Sequence, residues 1–378
     1  MKTSLLSPIG ICTAMALTLF FAGCGGGTNP IGCSGTGTNA CVAPQFLYAT
    51  AQKEILGFTV NPTSGALSAP TTTPGPVLIV GNLSVPSYGI VNAHGFVYVS
   101  DPSNNQVDGF SVNNTTGGLT PLSGSPFPLP GTIGLPEGMA TDALGKFLYV
   151  GNAGTIDGFT IDSATGALTA IPGSPFLAGE NLEVTVDPFG RFLFASDGQA
   201  PGGVLAFTID PGSGSLTPVA GSPFALPVAG GKPVALAVDS SGSFVYTVLA
   251  SLTSGYVAGF SIDATSGALT AVSGSPSFNG PLSPLAIATT GSFLYVSSGQ
   301  AISVFDITSG TGVLTEISGS PFPADGAGGM AMAPNGKFLY ETAAAAISVY
   351  AIDPASGAVS TSGNPVPAAD GPLVLTYD

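Results

Sequence analysis

From residue 138 the chain reads GMATDALGKFLYVGNAGTIDGFTIDSATGALTAIPGSPF, and its apolar positions fall into four short runs. GMATD is the first. KFLYV follows after a turn at Asp142, Ala143, Leu144 and Gly145. IDGFTID is third, with Phe159 and Ile161 alternating with polar neighbours, and GALTAI is fourth, after a second glycine turn. Runs of four to seven residues with two-residue alternation, punctuated by Gly, Asp and Ser, predict antiparallel strands. No apolar stripe at helical spacing occurs after the N-terminal segment, so the pattern predicts no helix.

The unit then repeats. Its second run returns as FLYA (46–49), FVYV (96–99), FLYV (147–150), FLFA (192–195), FVYT (244–247), FLYV (293–296) and FLYE (338–341). Its third run centres on Phe58, Phe110, Phe159, Phe207, Phe260, Phe305 and Tyr350, with steps of 52, 49, 48, 53, 45 and 45 residues. The phrase TGALTAIPGSPF (165–176) has relatives such as TGGLTPLSGSPF (116–127), SGSLTPVAGSPF (213–224) and TGVLTEISGSPF (311–322). Four strands per unit at this period predict an all-β, seven-bladed β-propeller of four-stranded antiparallel blades. Each blade is apolar on both faces and needs its neighbours to cover them. The first copy starts at Gln45 without a first strand, and the chain ends in PLVLTYD (372–378), a first strand with nothing after it. The two fragments complete one blade, so the C-terminal strand is expected to join the first blade and close the ring, removing open edges. The phrase GSPF is expected to carry the chain from one blade rim toward the centre of the next.

Composition narrows the function classes. The 378 residues carry a formal charge of −15 and only six Lys and Arg: Lys2, Lys53, Lys146, Arg191, Lys232 and Lys337. Too few cations are present for a nucleic-acid surface, which needs many phosphate contacts, and a phosphorylated substrate is disfavoured for the same reason. Gly (55) and Pro (33) are abundant but recur at fixed places, which marks turns rather than disorder. There is no G-x-S-x-G elbow, H-E-x-x-H pair or phosphate loop. Asp142, Asp187 and Asp239 open turns of the form D-x-x-G, where an Asp accepts backbone N–H bonds. DPSNNQVD (101–108) offers oxygens but lacks the spacing and glycine of a calcium loop.

The N-terminus suggests an address. Lys2 and an apolar stretch from Leu5 to Ala22 read as a secretory signal. The segment Phe21-Ala22-Gly23-Cys24 resembles a bacterial lipoprotein signal, in which Cys24 is lipidated and becomes the new N-terminus. The resemblance implies an extracytoplasmic, lipid-anchored protein, expected at the outer membrane of a Gram-negative bacterium. The reading divides the chain into a signal peptide (1–23), a tether (24–44) and the propeller (45–378). Cys33 and Cys41, in the tether, could pair in an oxidising compartment. With no His nearby they do not make a zinc site.

Seven copies of a G-x-F-L-Y-V strand, a G-F-x-I-D strand and T-G-x-L resemble the bacterial seven-bladed propeller lactonase family, relatives of 6-phosphogluconolactonase with YVTN-type repeats. The resemblance covers residues 45–378 and implies hydrolysis of a sugar lactone near the central channel. That family often carries a Pro-His pair at the start of the innermost strand. In this chain that slot holds Ser87, Glu137, Leu182, Val234, Ser283, Gly328 and Leu373. The one histidine, His94, falls in a turn on the opposite side, and Arg191 also sits in a turn.

The starts of the innermost strands line one mouth of the channel, where a propeller commonly takes its ligand. The polar residues expected there are Tyr88, Glu137, Glu180, Asn181, Glu183, Lys232, Asp325 and Asp370. Glu137 is the candidate general base, and Lys232 the candidate partner of a developing oxyanion. An acidic ring could instead hold a cation such as Ca²⁺ through oxygen ligands, or these could be solvated loop residues. No dedicated metal site or other cofactor is expected. Two functions follow: a monomeric, anchored binding module for a protein, carbohydrate or small molecule, and a sugar-lactone hydrolase.

Overall fold

The computed structural model describes residues 45–51, 54–68, 77–78, 89–131, 138–179, 183–198, 202–228, 231–250, 255–277, 286–326, 328–343, 346–368 and 375–377. Its strands form seven separate sheets, each antiparallel and each matching one sequence unit. Blade 3 is representative. Its inner strand is Met139–Thr141, followed outward by Phe147–Asn152, Thr155–Ile161 and Leu168–Ala170. The alternation read from the sequence sets the register, with Leu148 opposite Phe159 and Ile161 opposite Leu168.

Closure occurs as expected. The C-terminal strand Leu375–Tyr377 pairs with Gln45–Ala51, placing Leu47 opposite Tyr377 and Ala49 opposite Leu375. It becomes the inner strand of blade 1, whose other strands come from the N-terminal copy. The seven inner strands then contact one another in a closed circle.

Apolar burial lies between the blades. The buried residues fall into seven clusters, each bridging two adjacent blades. Tyr98, Val107 and Phe127 of blade 2, for example, meet Leu148, Val150 and Phe159 of blade 3. A single sheet would leave both faces wet, so the unit of stability is the seam rather than the blade.

The repeated phrase owes its form to these seams. Gly166 of T-G-x-L has φ 71°, which a residue with a side chain adopts at a cost. A Cβ at this position would lie 2.5 Å from the Phe96 ring of the preceding blade. Tyr98, two residues beyond that Phe, donates its hydroxyl hydrogen bond to the Gly166 carbonyl at 2.7 Å. The arrangement recurs at Tyr48, Tyr149, Tyr246, Tyr295 and Tyr340, each bonding the turn glycine of the next blade. Blade 4 carries Phe194 at this position and lacks the hydroxyl. The F-x-Y strand and the T-G turn are therefore two halves of one inter-blade joint.

GSPF has a role different from the connection read from the sequence. Phe176–Leu177 folds back as a short fifth strand along its own blade, opposite Ile156 and Thr155. The outer strand covers only Phe159–Ile161 of the third strand, and the Phe-Leu pair covers part of the edge left open. The Ser174 hydroxyl accepts the Gly158 N–H at 2.9 Å, and the Ser174–Pro175 bond is cis. The same serine contact recurs at Ser125, Ser222, Ser275 and Ser320.

Candidate ligand-binding face

Antiparallel pairing puts three things at one end of every blade: the start of the inner strand, the end of the second and the start of the third. This end is the predicted mouth. Met330 at the start of the blade 7 inner strand, for instance, sits opposite Glu341 near the end of the second strand. At the other end lie the D-x-x-G turns between inner and second strands and the T-G turns between third and outer strands.

Hydroxyl side chains fasten the inner strands at the mouth. The Ser196 Oγ accepts the Glu183 N–H at 2.9 Å, and the Ser196 N–H donates to the Glu183 carbonyl at 2.9 Å. Ser100 does the same for Gly89, at 3.0 Å. Glu183 is thus held half-buried beside the start of the blade 4 inner strand. Lys232 is the exposed first residue of the blade 5 inner strand Lys232–Val238. Asp325 is exposed just before blade 7. Its N–H donates to the Tyr350 hydroxyl at 3.2 Å, and its Oδ2 accepts from Ser348 at 3.3 Å. The other predicted mouth residues, Tyr88, Glu137, Glu180, Asn181 and Asp370, lie outside the described residues, as do Cys24, Cys33 and Cys41.

Behind Asp325 lies a group that the sequence reading did not single out. Glu341 is fully buried in the seam between blades 6 and 7. Its Oε1 accepts from Ser297 of blade 6 at 2.5 Å, and its Oε2 accepts from Tyr350 at 3.1 Å. Burial pushes its carboxyl up to about 7, against the lowering effect of the Ser297 and Tyr350 hydrogen bonds. The signal was present in the sequence: FLYE ends in a carboxylate where the other copies end in Ala, Val or Thr.

Two further buried acids occupy one position of the third strand, just before its glycine. Asp108 in blade 2 is 3 % exposed, and its Oδ2 has no hydrogen-bond partner. Burial, and then the neighbouring Asp101, push its carboxyl up to about 7. Asp157 in blade 3 is also raised by burial, although Asn152 and the Gly131 N–H bond it. Asn105 of blade 2 joins this network through Asn152 at 3.2 Å. Among the described residues, no group of three or more His, Cys, Asp and Glu is placed to hold a metal ion.

The turn end is built differently. The Asp142 Oδ1 accepts the Lys146 and Phe147 N–H groups, each at 2.7 Å, and Asp187 and Asp239 repeat the pattern. These acids close turns, as their spacing predicted. Arg191 donates to Asp187 at 2.8 Å and lies 4.9 Å from the Phe189 ring. His94 is exposed at this end with φ 48°, bordering an open cleft with Asn92, Thr141 and Asp142. Both residues stand on the side away from the mouth.

Among the described residues, the Glu183 and Asp325 carboxylates at this end are of a type that accepts hydrogen bonds from hydroxyl groups, while Glu341 is fully buried and linked to Asp325 through the Tyr350 hydroxyl. Comparison with known proteins then places the chain. The profile described as "Lactonase, 7-bladed beta-propeller" matches residues 182–284 and again 274–376. No curated protein matches the chain by sequence. The solved structure of a putative 6-phosphogluconolactonase from Bacteroides uniformis is similar, with 21 % identity, a TM-score of 0.68, and 89 % of this chain and 99 % of that one covered. One from Bacteroides fragilis gives 21 %, 0.66, 90 % and 100 %. A periplasmic gluconolactonase from Pseudomonas aeruginosa gives 18 %, 0.66, 89 % and 99 %. At these identities the likeness is one of fold.

Proposed function

The chain belongs to the seven-bladed β-propeller lactonase family, and from that premise we propose that it is an extracytoplasmic, lipid-anchored binding module. In this reading the mouth takes a neutral, polyhydroxylated small molecule of the sugar class. The observation that carries the reading is the chemistry of the mouth. Its described carboxylates, Glu183 and Asp325, are groups able to accept hydrogen bonds from hydroxyls, as Asp325 does from Ser348, and Lys232 is the one described cation among the predicted mouth residues. A phosphorylated ligand would meet this acidic surface with too little countercharge. The anchoring rests on the signal-like segment ending at Cys24 and the tether behind it. A monomer suffices, because ring closure leaves no inner-strand edge to pair.

The second reading is hydrolysis of a sugar lactone, favoured by family membership and by the name of the Pseudomonas neighbour. Water would add to the ring carbonyl, with Glu137 taking its proton and Lys232 steadying the oxyanion before the ring oxygen leaves.

One experiment separates the two. Glucono-δ-lactone is offered to the protein while binding is followed by calorimetry and acid release by pH-stat. The binding reading expects saturable heat for the lactone or for neutral sugars, weaker heat for their 6-phosphates, and acid release at the uncatalysed rate. Turnover that disappears in Glu137→Gln would establish the second reading over the first. Absence of heat with every neutral sugar and lactone at millimolar concentration would end the binding reading.

A further inference from the structure

We propose that the inner turns on the face opposite the mouth form a membrane-contact surface, with Leu144 and Phe189 entering the interface of a zwitterionic bilayer. The inference rests on the anchored reading above and adds which way the anchored propeller faces.

The first observation is where the tether joins. Six blades have a turn between inner and second strands at this end. In blade 1 that place is taken by the two ends of the folded chain, because Gln45 opens its second strand and Tyr377, opposite Leu47, ends its inner strand. Residues 24–44 are therefore attached at the turn end. For a linker of this length and composition, polymer scaling gives a span of about 25 Å. From this attachment the turn face lies within reach of a bilayer, whereas the mouth stands a full strand length further away.

The second observation is what the turns present. Leu144 is 78 % exposed and Phe189 is 62 % exposed, and both hold the third position of an inner turn, in adjacent blades 3 and 4. The same position holds Ser241 in blade 5 and Asn335 in blade 7, as a water-facing turn would. One other large apolar side chain, Leu177, is strongly exposed among the described residues, and it lies on an outer strand edge. Asp142 and Asp187 brace the two turns by accepting the Lys146 and Arg191 N–H groups. The Phe189 ring lies beside the Arg191 guanidinium and against Gly242 of the next blade, with its remaining surface exposed. Lys146, Arg191 and Lys337 each follow a turn glycine on this face, three of the six cations in the whole chain. The outer turns carry exposed Asp162, Asp210, Asp263 and Asp353. The face as a whole is thus not cationic, which selects zwitterionic over anionic lipid.

The chain contains no Trp, so single introduced tryptophans report position directly. Leu144→Trp, Phe189→Trp and, at the mouth, Gln300→Trp are made in the chain from residue 24 carrying Cys33→Ser and Cys41→Ser. Each is coupled through Cys24 to a maleimide phospholipid in phosphatidylcholine vesicles containing a brominated analogue. Bromolipid is expected to quench the tryptophans at 144 and 189 several-fold more than the one at 300. Equal quenching at all three, or stronger quenching at 300, overturns the proposal. So does a concentration-dependent blue shift at 144 or 189 without quenching, which would assign the tips to a second copy. Co-sedimentation of the full chain with vesicles, compared with Cys24→Ser, tests the anchor separately, and its failure leaves the quenching result to judge the docking surface.

Discussion

The two ends of the propeller use acidic side chains in opposite ways. At the turn end, Asp162 sits exposed and is held below the ordinary carboxylate range by the Thr165 hydroxyl and the Thr165 and Ala164 N–H groups. Asp210, Asp263 and Asp353 do the same in their blades. At the mouth end, Asp108, Asp157 and Glu341 are buried and raised. The turn position recurs in register because every blade must make the same bend, and it holds Asp in blades 3, 4, 5 and 7, Asn in blades 1 and 2 and Thr in blade 6. The mouth acids follow no strict period, and each network is particular to its seam. Periodicity thus marks framework, and departure from it marks the places where this chain differs from a generic ring.

Removing the closing strand should produce the largest effect. Deleting residues 375–378 exposes the inner edge of the second strand of blade 1, and the circle of inner strands opens. Loss of a cooperative thermal transition is expected; an unchanged calorimetric profile would show that closure contributes little. Next comes a seam. Phe159 is 3 % exposed in the blade 2–3 cluster, and Phe159→Ala should cost about 3–5 kcal/mol, seen as a clear drop in the urea midpoint.

The mouth-side acids give a pH signature. A carboxyl raised from its ordinary value to about 7 holds its proton in the folded chain where the unfolded chain has lost it. Its contribution to stability is full below about pH 4.5 and is lost as pH rises to 7. For Glu341 the span corresponds to about 3 kcal/mol at most. Asp108 adds a fall over a similar range. Asp325, the other acid acting on Glu341, opposes its ionisation. Denaturant melts of wild type should weaken between pH 5 and 7, and Glu341→Gln should weaken less. Identical slopes would remove Glu341 as the source.

The smallest effect should come from the repeated joint. Tyr149→Phe deletes the 2.7 Å bond to the Gly214 carbonyl and should cost about 1–2 kcal/mol. Blade 4 shows that the ring alone is tolerated, since Phe194 fills this position naturally. A cost above that of Phe159→Ala would mean that the hydroxyl, rather than the apolar seam, holds the blades.

Much of the fold was legible before any coordinates. The alternation around Phe159, the D-x-x-G turns and the unpaired strand at each end of the repeat rest on contacts within one copy, or on the arithmetic of a closed ring. GSPF was misread because its partner, Ile156, lies behind it in the same blade and no periodicity announces the pairing. The mouth was legible only in part. Lys232 opens an inner strand, Glu183 directly precedes one and Asp325 lies ahead of another, while the other residues expected there lie outside the described residues. Glu341 was visible as a break in a pattern, but its partner was not.

The sequence by itself determined the four main strands of each blade, the number of blades, the turn chemistry and the closure, because each is specified by neighbours along the chain or by repetition. Only the tertiary structure decided that the T-G glycine seats the Phe of another blade, that Ser297 reaches Glu341 across a seam, and that the two apolar turn tips share the end of the blades where Gln45 opens its strand. Those relations join residues tens of positions apart. Burial and distance, which set both packing and pKa, exist only once the ring has closed.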